Sequence, residues 1–75
     1  MNISLKCFAT LDKFQPKDAA SFPVQPGETV ARVIARLGID REDVAIIFVN
    51  SVHAPDDKVL ADGDRLGLFP AVGGG

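Results

Sequence analysis

The chain has 75 residues, almost half of them apolar, with ten acidic and eight basic side chains and a net charge of −2. That length holds one small globular domain, and a core of this size typically supplies about 3–5 kcal/mol of net stability, so little material is left for a buried catalytic pocket. The charge balance, without a basic stripe, argues against nucleic-acid binding and anionic membrane surfaces, and the single cysteine, Cys7, excludes an internal disulfide.

Ile3, Leu5 and Cys7 alternate with Ser4 and Lys6, which predicts a first strand over Ile3–Phe8 with its apolar side toward a core. Residues 9–18 are polar and mixed and read as a loop. Ala20, Phe22 and Val24 alternate with Ser21 and Pro23. This predicts a second strand, confined to a sheet edge because proline cannot donate to a ladder. Pro26-Gly27 marks a turn.

A helix follows. Thr29 suits its N-cap, Val30, Val33, Ile34 and Leu37 form one apolar stripe, and Gly38 suits the C-cap. Arg32 and Arg36 lie off the stripe, and Arg36 near the C-terminal end complements the helix dipole. An acidic linker, Asp40 to Asp43, leads to Val44-Ala45-Ile46-Ile47-Phe48-Val49. This continuous, β-branched run is too short for a typical helix and is expected to be a buried central strand. Asn50-Ser51 reads as a turn and Val52-His53 as a short strand ended by Pro55. Asp62-Gly63-Asp64 is another turn, and Arg65 to Phe69 forms the last strand, stopped by Pro70. One helix crossing a mixed sheet of four to five strands is an α+β arrangement. The helix stripe should cover Ile3, Leu5, Cys7, Leu66 and Leu68.

The last residues, Pro70-Ala71-Val72-Gly73-Gly74-Gly75, admit two readings. Glycines at a chain end are often no more than a frayed terminus. A tail without side chains can also thread a channel too narrow for a Cβ atom, and five residues beyond Pro70 span at most about 17 Å. In that reading the reactive group is the carboxylate of Gly75.

The segment Asp62 to Gly75, with its Gly-Asp turn, apolar strand, Pro70, Val72 and Gly74-Gly75, resembles the C-terminal signature of the small subunit of molybdopterin synthase and its sulfur-carrier relatives. Val49-Asn50 and the Phe8-Ala9 end of the first strand fit the same pattern. The thiamine-pathway carrier shares most of these features. Gly73, where a larger residue is common, and Ala71, where a second proline is common, depart from it. The resemblance implies a ubiquitin-like β-grasp domain over residues 1–70 and a flexible glycine tail over 71–75. It implies a carrier protein, not an enzyme, which binds no cofactor itself. A ubiquitin-activating-like adenylating enzyme would use ATP to activate Gly75, with Gly74 beside it, and a sulfur donor would convert the end to a thiocarboxylate. The acceptor would be the large subunit of molybdopterin synthase or an equivalent enzyme, serving molybdenum or tungsten cofactor synthesis. Thiamine-pathway carrier, ubiquitin-like modifier of lysines and plain interaction module remain alternatives.

Parity puts Phe8 on the outward side of the first strand with Ser4 and Lys6, and Phe69 on the side of Arg65. A β-grasp sheet sets these strands side by side and parallel, so the two rings should meet on the helix-free face, where the tail departs. Two aromatics there suggest a docking patch. With the resemblance, the expected partner-binding residues are Phe8, His53, Phe69, Pro70, Val72 and Gly73. A lone His53 is otherwise a solvated turn residue, and no ligands cluster with it to hold a metal. Cys7 is expected in the core, and Asp56-Asp57 in a solvated loop. The acidic balance would steer the protein toward a basic groove. The opening residues do not form a signal peptide and no apolar run reaches ~20 residues, so a soluble, cytoplasmic protein is expected.

Overall fold

The computed structural model describes residues 1–71. Its strands are β1 (Asn2–Cys7), β2 (Phe22–Pro23), β3 (Val44–Val49), β4 (Val52–His53) and β5 (Arg65–Pro70), with one α-helix, α1 (Val30–Arg36), between β2 and β3. The sheet order is β2-β1-β5-β3-β4. β1 and β5 run parallel at its centre, and the other neighbours are antiparallel. Pro23 lies on an edge strand, as its missing amide requires.

The helix starts and stops as its residue types dictate. Thr29 Oγ1 accepts the Arg32 amide at 3.3 Å. At the other end Gly38 takes φ +79°, its amide donates to the Ala35 carbonyl and the Ile39 amide donates to Ile34. This paired closure satisfies two orphan carbonyls, and buried Ile39 anchors it. Val30, Val33 and Ile34 join Ile3, Leu5, Cys7, Leu66 and Leu68 in one core. Leu37, expected there, is only half-buried against it.

Three expectations need correction. Residues 9–18 are not simply a loop: Ala9–Phe14 forms a 3₁₀ helix that buries Leu11. Ala20 is not in a strand but exposed in a 3₁₀ turn, Ala19–Ser21, while Ala19 is buried, so the second strand shrinks to two residues. The run Val44–Val49 is not buried on both sides. Val44, Ile47 and Val49 face the core, but Ile46 is exposed and Phe48 half-buried on the other face. A β-bulge between Val44 and Ile46 shifts the register there. The run is continuous because both faces of this strand carry apolar residues, one set for the core and one for the outer face.

Glu28 is the buried charged residue of the described chain. It accepts the Gln25 amide at 2.9 Å and pairs with Arg36 at 2.8 Å. Arg36 also lies 4.7 Å over the Phe22 ring and donates to the Pro23 carbonyl. The arginine expected merely to complement the helix dipole thus ties the helix to β2. Burial works against charging Glu28, but the Gln25 amide and the Arg36 and Arg32 guanidiniums outweigh it and hold the carboxyl below its ordinary value. No helix among the described residues is long and apolar enough to cross a membrane.

Candidate docking face

The register writes the composition of the helix-free face directly. Ser4 sits opposite Arg65, Lys6 opposite Gly67, and Cys7 opposite Leu68. Across the next ladder Phe48 pairs with Gly67 and Ile46 with Phe69, and Phe48 pairs with His53 on β4. Because paired residues share a face, one row reads Lys6, Gly67, Phe48, His53 and the next reads Phe8, Phe69, Ile46.

The three rings on this face form one unit. Phe8 and Phe69 stack with centroids 4.2 Å apart and planes within 4°. Phe48 stands edge-on to Phe69 at 5.6 Å, and His53 stands edge-on to Phe48 at 5.5 Å. All three phenylalanines are half-buried and His53 is exposed. The amide of Phe8 donates to the Leu68 carbonyl, which continues the β1–β5 ladder to the aromatic pair. Ala9 then takes φ +51° and turns the chain away into the 3₁₀ segment.

Gly67 makes the floor of an open cleft of about 500 Å³ lined by Lys6, Phe8, Phe48, Arg65 and Phe69, with Ser4 and Ser51 at its edge. A Cβ on Gly67 would touch the Phe8 ring at 3.4 Å and Phe48 at 3.9 Å. A longer side chain there would occupy the notch between the rings. The lining includes two cations and no carboxylate. The cleft thus differs in sign from the chain as a whole, whose acidic residues all lie elsewhere.

The segment leading into β5 is fixed by a side-chain bracket. Asn50 and Ser51 both have positive φ, +55° and +68°, as a two-residue hairpin of the I′ kind demands. Asn50 Nδ2 donates to Asp64 Oδ1 at 2.9 Å, and Asn50 Oδ1 accepts the Arg65 amide at 2.9 Å. Asp64 Oδ2 accepts the Ala61 amide. That amide first, then Asn50, hold the Asp64 carboxyl below its ordinary value. Asn50 and the Gly63-Asp64 turn thus have a shared physical task, which is to bind the β3–β4 hairpin to the start of β5.

β5 ends at Pro70, half-buried and paired with Val44, and the Ala71 amide still donates to the Asp43 carbonyl at 3.1 Å. The expected site residues Val72, Gly73, Gly74 and Gly75 lie outside the described residues. Cys7 is buried and its thiol is pushed up by burial, which suits packing and not nucleophilic work. Among the described residues no group of three metal-ligating side chains comes together.

The structure brings Phe8, Phe69 and His53 onto one face and adds Phe48, Ile46 and Gly67, which sequence reasoning missed. The parity of Phe48 against Ile47 and Val49 was the available signal, and treating the whole run as core concealed it. Gly67 offered only a glycine inside a strand, which can mark a close approach.

Residues 5–75 match the ThiS family. No curated protein matches the sequence. Among solved structures, the chain resembles SAMP1 from Haloferax volcanii at 24% identity over all of both chains, with a TM-score of 0.72. It resembles a protein described as molybdopterin converting factor, subunit 1, from Pyrococcus furiosus at 25% identity, over 96% of this chain and 99% of that one, with a TM-score of 0.71. It also resembles another structure, of small archaeal modifier protein 1 from H. volcanii, at 22% identity over 95% and 98% of the chains, with a TM-score of 0.71.

Proposed function

The chain belongs to the ThiS family and has the ubiquitin-like β-grasp fold, and from that premise we propose that it carries sulfur on the carboxyl carbon of Gly75. The observation that carries the reading is the aromatic face built on β5, the strand that leads straight into the Gly74-Gly75 end. A partner that grips Phe8, Phe48 and Phe69 holds the root of that end at the same time.

The chemistry needs no catalytic side chain from this protein. A partner adenylating enzyme joins the Gly75 carboxylate to the AMP moiety of ATP and releases pyrophosphate. Hydrosulfide then attacks the acyl carbon, a C–S bond forms, the C–O bond to AMP breaks, and one proton is released. The product is a thiocarboxylate, which transfers its sulfur to an acceptor. The resemblance of the C-terminal segment and the molybdopterin converting factor neighbour support a place as small subunit of molybdopterin synthase. The acceptor would then be a pterin precursor held by the large subunit.

The test is incubation with ATP, a purified adenylating enzyme and sulfide, followed by intact-mass measurement. A gain of about 16 Da, sulfur for oxygen, is expected. Activation without sulfur gain, with isopeptide-linked adducts in extracts, would replace this reading with that of a protein modifier.

A further inference from the structure

The cleft over Gly67 has a charge opposite in sign to the protein that carries it. Lys6 and Arg65 line it, and all ten acidic residues lie outside it. Both cations are exposed, and neither belongs to an ion pair among the described residues. Lys6 Nζ stands 5.9 Å over the Phe8 ring, at the rim of the apolar surface. Arg65 is placed by its backbone, whose amide and carbonyl are both bonded to Asn50, and its guanidinium makes no hydrogen bond or ion pair among the described residues. The ion pairs among the described residues, Arg36 with Glu28 and Arg41 with Asp56, involve neither of them.

We propose that the partner meeting this face presents an apolar side chain flanked by carboxylates. The apolar group seats on Gly67 among Phe8, Phe48 and Phe69, and the carboxylates face Lys6 and Arg65. Two cations beside a notch, with no counter-charge paired to them among the described residues, attract an acidic rim and speed its encounter. A basic partner groove, which the net charge alone would favour, would set like charges against this face. Two cations on a chain of net charge −2 are also too few for a nucleic-acid track. The proposal rests on the carrier reading only in its choice of the adenylating enzyme as probe.

The experiment measures association of the full-length chain with that enzyme without ATP, so binding is separated from chemistry. Lys6→Glu/Arg65→Glu should slow association about tenfold or more at low ionic strength and flatten its salt dependence. Lys13→Glu/Lys17→Glu makes the same change in net charge away from the cleft and should leave the rate near that of the parent. Gly67→Val, checked for folding by circular dichroism, should speed dissociation. Equal slowing by both charge pairs, an unchanged or faster rate for the cleft pair, or no association of the parent chain would overturn the proposal. So would binding to a single-stranded RNA oligonucleotide that the cleft pair abolishes. A 16-Da gain, as about one sulfur for one oxygen, with charge-independent association refutes the surface alone. Charge-dependent association without that gain refutes the carrier reading alone.

Discussion

Truncating Phe69 to alanine tests how the docking face is held, because the same rings that would grip a partner also join three strands. Phe69 on β5 stacks on Phe8 beyond the end of β1 and meets Phe48 on β3 edge-on. Each aromatic pair is worth about 0.5–1.5 kcal/mol beyond its buried area. Full burial of a phenylalanine contributes about 1.5–3 kcal/mol, and Phe69 is half-buried, so about half of that is added. Phe69→Ala should therefore lose about 2–4 kcal/mol, most of the about 3–5 kcal/mol that a core this size supplies. With no tryptophan or tyrosine in the chain, urea unfolding is best followed by far-UV circular dichroism. The double variant with Phe8→Ala should show a coupling of about 1 kcal/mol. A loss below about 0.5 kcal/mol, with no coupling, would refute the view that the rings brace the sheet. Phe69→Leu keeps apolar bulk and is the better variant for reading partner affinity.

Arg36→Ala should cost about 2–3 kcal/mol, because it leaves the buried Glu28 carboxylate without its guanidinium; Glu28→Gln in the same chain should restore part of this in a urea titration. Glu28 and Asp64 both titrate below their ordinary values, so between folded and unfolded values the unfolded chain binds more protons and stability rises with pH. Urea midpoints should be level above about pH 5 and fall as the pH drops through about 4, and a midpoint that rose on acidification would contradict the assignment. Deleting Gly75 should abolish the mass gain on incubation with ATP, adenylating enzyme and sulfide while leaving the circular dichroism spectrum and urea midpoint unchanged.

Where one residue type had one physical use, the sequence was readable. Thr29 and Gly38 bounded the helix because a cap oxygen and a left-handed carbon have few other reasons to stand immediately before and after an apolar stripe. Strand parity in Ile3–Cys7 and Arg65–Phe69 was enough to bring Phe8 and Phe69 together once the strands were taken as parallel neighbours. The reading failed where a residue had two uses. Val44–Val49 is apolar on both faces, and hydrophobicity alone does not say whether a face meets a helix or a partner. Ala19 and Ala20 are chemically the same, and only the 3₁₀ turn decides that the first is buried. The Glu28–Arg36 pair joins residues eight apart through a path that crosses the helix start, which no local period reveals.

The missed residue Gly67 explains why the aromatic face is a cleft and not a flat patch. On a pleated sheet, Phe8, Phe48 and Phe69 with any ordinary side chain between them would close into a continuous apolar surface. Removing the Cβ at the one position bounded by all three rings leaves room for a group from outside, and the 3.4 Å approach of Phe8 to that vacant position shows how little space separates a notch from a filled core. The cleft has room for a side chain, and the strand that supplies its floor is the one that leads on in sequence to the glycines. On the proposed reading, gripping the notch and presenting the end follow from a single element, because a partner that reads Gly67 and its rings would also hold the strand that precedes Gly74-Gly75 in the sequence.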